Sequence, residues 1–262
     1  MINPKSQLIR SLEEDIRFDG RKLKEWRKVV IECGISKNAE GSARVKFGDT
    51  EVFAGVKLSI GEPYPDTPDE GALMVEAELT PMSNPEFEAG PPDIQAIELA
   101  RVIDRGIRES KTIDTKKLCI KEGEKCWVVS IDIVTINDAG NLIDAAGLAA
   151  LAALKDTKFP KLVDDKIEYK EKTKTSLPLL HEPIPVTVIK IGNKFIVDPT
   201  TEEENALDAR LTVTSIEDGR ICSLQKGGQG TISVEDFSKM IDIGVEKAKE
   251  LRTYLGKVKV AK

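Results

Sequence analysis

The chain has 262 residues, 39 of them Lys or Arg and 45 Asp or Glu, for a net charge of −6 at neutral pH. With 40% hydrophobic and 32% charged residues it reads as a folded globular chain, large enough to bury a core without disulfide or metal staples. The acidic balance excludes a protein coated in basic charge for general nucleic-acid binding, but leaves room for a local basic strip.

Residues 1–18 mix Lys5, Arg10, Glu13, Glu14 and Asp15 among apolar neighbours, so they lack the apolar stretch of a signal peptide. The longest apolar run, residues 145–154, falls well short of the roughly 20 residues that span a bilayer. A cytoplasmic location without membrane contact is expected. Cys33, Cys119, Cys126 and Cys222 are scattered with no CxxC pair, which fits reduced thiols in a cytosol and not a zinc or redox motif.

In chain order, residues 5–15 predict a short helix, followed by the turn Arg17-Phe18-Asp19-Gly20-Arg21. Strands are expected at 29–33, 42–47 and 52–60, the last two joined through Gly48-Asp49. Residues 61–69 carry Pro63, Pro65 and Pro68 and read as a loop before a strand at 72–79. Pro81, Pro85, Pro91 and Pro92 then interrupt regular structure until Asp93, a natural N-cap, opens a helix over 94–109. At about 100° per residue, Ala96, Leu99, Ala100, Val102, Ile103 and Ile107 share one face of it, and Arg101, Arg105 and Arg108 gather on the other. A long strand at 127–136, a turn at 137–140 and an alanine-rich helix at 144–154 follow. So many small residues predict close packing of that helix against a sheet.

Residues 164–175 are polar and charge-rich and read as a mobile connection. Beyond it come strands at 186–191 and 195–197 around a Gly192-Asn193 turn, and at 209–216 and 221–225 around Asp218-Gly219. Ser233, with Asp236 three residues on, starts a final helix whose apolar positions recur from Val234 to Leu255. The order predicts one α+β unit over 1–262, built from two similar strand-rich halves each ending in packed helices. The halves are placed at about 25–158 and 184–256, with a connection over about 159–183.

Several fragments together resemble the RNase PH family. Arg17-Phe18-Asp19-Gly20-Arg21 is similar to its N-terminal Arg-Pro-Asp-Gly-Arg signature. Gly41-Ser42-Ala43, Val45, Gly48-Asp49-Thr50 and Val52 resemble its first hairpin, and Glu98-Leu99-Ala100-Arg101-Val102-Ile103-Asp104-Arg105 with Arg108 its arginine-bearing helix. The likeness runs from about residue 15 to 255 and is greatest to the non-catalytic subunits of the archaeal exosome ring. It implies an RNase PH-like fold and a part in phosphorolytic shortening of RNA from the 3′ end, in which inorganic phosphate attacks the terminal phosphodiester and a nucleoside diphosphate leaves. The implied partners are a catalytic RNase PH-like subunit, paired with this chain as a heterodimer and trimerised to a hexameric ring, RNA-binding cap subunits, and single-stranded RNA.

That chemistry needs cations to hold phosphate and an acid near the scissile bond. Active members have two arginines six residues apart near the start of the arginine-bearing helix; here Arg101 is the second, but Gln95 holds the first position. Their Gly-rich turn with a hydroxyl residue and an arginine is here Gly140-Asn141-Leu142-Ile143, and no arginine occurs between Glu109 and Ala209. Asp198 survives as the first acid of their Asp-to-Glu-Asp pattern, while Glu203-Glu204-Asn205 stands where the second is expected. A non-catalytic subunit is therefore expected, with no catalytic residue, cofactor or metal ligand assigned. Arg101, Arg105 and Arg108 are the expected RNA contacts, set against a plain solvated helix face paired with Glu98 and Asp104. Two alternatives stand beside this: an autonomous phosphorolytic exoribonuclease using Asp198 and Glu204, and a structural ring spacer. Acids beside Pro199 are expected to be solvated. His181, the only histidine, reads as structural, and Gly227-Gly228-Gln229-Gly230 as a turn that lacks the lysine of a phosphate loop.

Overall fold

A computed structural model describes residues 4–163, 166–256 and 259–260. Helix α1 (Pro4–Glu13) precedes strands β1 (Val29–Cys33), β2 (Gly41–Phe47), β3 (Thr50–Gly61) and β4 (Ala72–Glu78). Helix α2 (Ile94–Glu109), a 3₁₀ turn at Thr115–Leu118, β5 (Cys119–Lys121), β6 (Lys125–Asn137) and α3 (Leu142–Asp156) complete the first half. Then follow β7 (Lys158–Val163), β8 (Lys166–Ser176), β9 (Ile184–Ile191), β10 (Lys194–Val197), α4 (Thr201–Ala206), β11 (Ala209–Ser215), β12 (Ile221–Gly227), α5 (Val234–Leu255) and β13 (Lys259–Val260).

The first sheet runs β13-β1-β2-β3-β6-β4, with β5 paired to β6; β4 lies parallel to β6 at one edge, and β1, β2, β3 and β6 are antiparallel neighbours. The second sheet runs β10-β9-β11-β12. Alternation along β3 buries Val52, Ala54, Val56 and Leu58 while the residues between them reach outward. The apolar stripe of α2 buries Ala96, Leu99, Val102, Ile103 and Ile107, and Asp93 caps the helix by accepting the Ala96 amide at 2.8 Å.

Helix α3 joins the halves. Every residue from Ile143 to Leu154 is buried, because the helix packs between the two sheets and its alanines permit close approach. One continuous core follows, from Val45, Val129 and Ile131 through Leu148 and Leu151 to Val188, Val213 and Leu251. Leu8 and Leu12 of α1 close a smaller cluster with Ile189, Ile191 and Ile196.

The structure corrects the expectation of a mobile connection at 164–175. Residues 166–176 form β8, paired antiparallel to β7 as a two-stranded ribbon, and residues 164–165 lie outside the described residues. Phe159 anchors the ribbon against Trp127, their ring centroids 5.4 Å apart. Among the described residues no helix is long and apolar enough to cross a membrane.

Candidate functional site

Arg101, Arg105 and Arg108 are exposed on the outer face of α2, where the helical spacing puts them. Their surroundings differ. Arg108 is paired with Asp104 one turn back at 2.8 Å and donates to the Leu73 carbonyl at 3.2 Å. The Asp104 carboxylate is also the main reason that the Arg108 guanidinium is held above its ordinary range. Glu98, the other candidate partner, turns away from the strip to Arg210 of β11 at 2.5 Å and accepts Gln225 Nε2 at 3.2 Å. Arg101 and Arg105 are thus left without a hydrogen-bond or ion-pair partner among the described residues.

A cavity of about 900 Å³ opens beside Arg101, between the α2 N-terminus and the β4–β6 edge. Glu76, Glu78 and Asp132 line it. Burial first, and then repulsion from Glu76, pushes the Asp132 carboxyl up. These carboxylates give the cavity an acidic floor, which Arg101 borders.

The turn between β6 and α3 is closed by internal bonds. The Ala139 amide donates to Thr50 Oγ1 at 3.2 Å, the Gly140 amide to Asp138 Oδ1 at 2.9 Å, and the Asn141 amide to Glu204 Oε1 at 2.9 Å. Arg27 brings a guanidinium to the turn. Its five N–H groups go to Asp198 Oδ2, Thr50 Oγ1, the Ala139 and Gly140 carbonyls and Asp198 Oδ1, at 2.7–3.2 Å. Gly140 has φ +88°, and a Cβ there would stand 2.6 Å from the Pro199 carbonyl oxygen, so α4 sits directly over the turn.

Asp198 and Glu203 are buried and Glu204 is half-buried, against the expectation that the acids beside Pro199 are solvated. Asp198 has 0% exposure and φ +52°. It accepts from Arg21 Nη1, from the Arg27 guanidinium and amide, and from Asn141 Nδ2. Burial opposes its charge, but the Arg27 and Asn141 bonds prevail and hold the carboxyl below its ordinary value. Glu203 grips Arg17 through two bonds of 2.6 and 2.8 Å, and Arg17 also donates to the Val197 and Asp198 carbonyls. Glu203 further completes a capping box with Thr200 at the start of α4. Desolvation, helped by repulsion from Asp138, pushes Glu204 up to about 7. Asp144, buried in the first turn of α3 and accepting the Thr187 amide, is likewise pushed up to about 7, chiefly by desolvation. Asp198 and Glu203, already neutralised by guanidinium groups, do not fit as ligands of a divalent cation.

A model of the 3′ exoribonuclease family, domain 1, matches residues 25–160, and a model of its domain 2 matches residues 181–247. The chain belongs to the RNase PH family. Its RNase PH-like fold is shared with a solved Archaeoglobus fulgidus exosome with RNA bound to the active site, at 45% identity and a TM-score of 0.89 over 95% of this chain and 96% of that one. An archaeal exosome core superposes with a TM-score of 0.85 at 42% identity, over 97% of this chain and 96% of that one. The exosome complex component Rrp42 of Methanopyrus kandleri is 46% identical over 248 residues, covering 94% of this chain and 93% of that protein.

Within this RNase PH scaffold the family's N-terminal signature is structural: Arg17 and Arg21 tie the N-terminal turn to Asp198 and Glu203. Sequence reasoning missed Arg27 altogether. Nothing local marks Trp26-Arg27-Lys28, since its partners lie 112 and 171 residues downstream. It singles out Glu203 as the stand-in for the second acid but misses its capping role, although Thr200-Thr201-Glu202-Glu203 fits the capping-box pattern.

Proposed function

We propose that this chain is the non-catalytic RNase PH-like subunit of an exosome ring. It shapes the active site of a catalytic RNase PH-like partner across their interface and holds RNA while the partner shortens it from the 3′ end. The likeness to exosome subunits over nearly the whole chain supports this reading. The single observation that carries it is the closed turn at 138–141: its amides and all five Arg27 donors are engaged internally, so none of them is left to receive a phosphate. Each charge-assisted bond a phosphate forgoes there is worth about 1.5–3 kcal/mol.

RNA is held by Arg101 and Arg105, whose free guanidinium groups suit backbone phosphates and carry no base preference. Arg108 contributes less, because its charge is shared with Asp104. The assembly is a heterodimer with the catalytic partner, trimerised to a six-membered ring in the cytoplasm, on which RNA-binding cap subunits sit.

Incubation of the pure chain with single-stranded RNA and inorganic phosphate is expected to release no nucleoside diphosphate, whereas the chain co-expressed with its catalytic partner releases it readily. Robust release by the pure chain overturns the proposal in favour of an autonomous enzyme using Asp198 and Glu204.

A further inference from the structure

The four cysteines are scattered along the sequence, yet the first sheet sets two of them opposite each other. Cys119 of β5 and Cys126 of β6 are register partners across an antiparallel pair. The pairing depends on an irregularity in the ladder. Lys121 stands against Lys125, and an unbroken ladder from there would set Ile120 against Cys126 and Cys119 against Trp127. The register instead shifts between Cys119 and Lys121, which adds one residue to β5 and carries Cys119 opposite Cys126. Directly opposed residues of an antiparallel pair project to one face of the sheet, with Cα atoms about 4.5–5.5 Å apart. A disulfide spans Cα separations of roughly 4.4–6.8 Å, so the pairing meets its requirement without backbone movement.

The surroundings leave each thiol to the other. On the far side of β6 the register partner of Cys126 is Gly61 of β3, which has no side chain. Cys126 is fully buried, yet it belongs to neither apolar cluster of the core. Burial, and then the proximity of Cys119, pushes its thiol up. Cys119 is half-buried and is therefore the sulfur that a solute reaches first. The remaining cysteines have no such counterpart. Cys33 is in register with Ala43 and Val260 and donates to the Ala152 carbonyl at 3.7 Å, while Cys222 donates to the Thr214 carbonyl at 3.3 Å.

We propose that Cys119 and Cys126 form a reversible cross-strand disulfide, closed by hydrogen peroxide and opened by a dithiol, that clamps the β5–β6 hairpin. The Cys119 thiolate attacks one peroxide oxygen. An S–O bond forms, the O–O bond breaks, and the departing hydroxide takes up the proton that Cys119 released and becomes water. The Cys126 sulfur then attacks the Cys119 sulfur. The S–S bond forms, the S–O bond breaks, and the hydroxyl leaves as water with the Cys126 proton. Two thiols have together lost two electrons and two protons, and one peroxide has become two waters. The hairpin so clamped supports the loop between β3 and β4. At its tip the Gly123 amide donates to the Pro68 carbonyl at 2.9 Å. In the 3₁₀ turn that leads into β5, Thr115 accepts the Gly71 amide at 2.9 Å and donates to Glu70 at 2.8 Å.

The test treats the full chain with hydrogen peroxide, alkylates the remaining thiols and digests with trypsin. Lys121 and Lys125 separate the two cysteines, so peptides 118–121 and 126–155 stay joined only through a disulfide. The expected result is that joined pair, lighter by two hydrogens than its parts, with Cys33 and Cys222 recovered alkylated. The thermal midpoint of the oxidised chain is expected to rise by about 5 °C. Dithiothreitol is expected to reverse both changes, and Cys119→Ser to show neither. Recovery of Cys119 and Cys126 on separate alkylated peptides overturns the proposal, as does either one joined to another cysteine. A joined pair with an unchanged midpoint also overturns it, because the hairpin is then not clamped. An equal rise of midpoint in peroxide-treated Cys119→Ser overturns it by placing the stabilisation elsewhere.

Discussion

A carboxylate that receives guanidinium groups from both Arg21 and Arg27 has little left to offer a substrate, and Asp198 is in that position. Its neighbour Glu203 is bound to the fully buried Arg17 in the same way. Removing one partner of such a pair leaves a buried charge uncompensated, so Glu203→Ala is expected to cost about 3–5 kcal/mol, read as a clear fall in the thermal midpoint. Arg101 and Arg105 predict a different signature. Arg101→Ala/Arg105→Ala should fold normally yet weaken RNA binding by the assembled ring, lowering the slope of log affinity against log salt by roughly 0.7 for each lost phosphate contact.

Glu204 predicts a pH dependence. Its folded value of about 7 stands above its ordinary 4.5, so the folded chain binds this proton more tightly than the unfolded one. The stability it contributes is full below pH 4.5 and is lost as pH rises through 7. Asp198 has the opposite sign: its contribution is present above 3.8 and disappears as pH falls through its lowered folded value. Thermal midpoints should therefore fall between pH 5 and 7.5, and Glu204→Gln should flatten part of that decline, Asp144 supplying the remainder. A midpoint that climbs over this range contradicts the assignment.

Among the elements, α3 is the one on which both halves depend. A Cβ added at Gly147 would stand 2.3 Å from Pro185 Cγ at the start of β9, so the helix meets the second sheet with no space for a methyl group. Gly147→Ala gains about 1 kcal/mol of helix propensity but must push the halves apart, at an overpacking cost of about 1–3 kcal/mol. Net destabilisation, measured by denaturant unfolding, is the expected result. Elements with a strong apolar period were legible in the sequence, and α2 and β1 occupy the spans that periodicity predicts. Strand β8 was not. Past Ile167 and Tyr169 its sequence is almost wholly charged or hydroxylated, so no apolar alternation marks it, and pairing with β7 decides its conformation. Helix α4 was missed because it is short and acidic, and its stability comes from a capping box and from Arg17.

For the whole molecule, the continuous core through α3 predicts that the two halves unfold together, and one calorimetric transition should be seen. The net charge of −6 also gains a location. Acids line the cavity beside Arg101 and the loop between β3 and β4, so the isolated chain is expected to hold RNA weakly, and tight binding belongs to an assembly in which several arginine strips act on one strand.

The sequence by itself determined the fold class, the limits of the periodic helices and strands, and the gathering of Arg101, Arg105 and Arg108 on one helix face. Those properties are local, set by the angular spacing of side chains along a few turns or a single strand. Only the tertiary structure decided that Glu98 leaves the strip for Arg210 and so deprives Arg101 of that local partner, and that Asp198 and Glu203 are buried. It likewise decided that the turn before α3 is closed by Arg27 and Glu204. The physical reason is distance along the chain: Glu98 meets Arg210 across 112 positions, Arg27 meets Asp198 across 171 and Arg17 meets Glu203 across 186. A charge's partner at such separations is chosen by the packing of sheets around α3, and no local pattern encodes it.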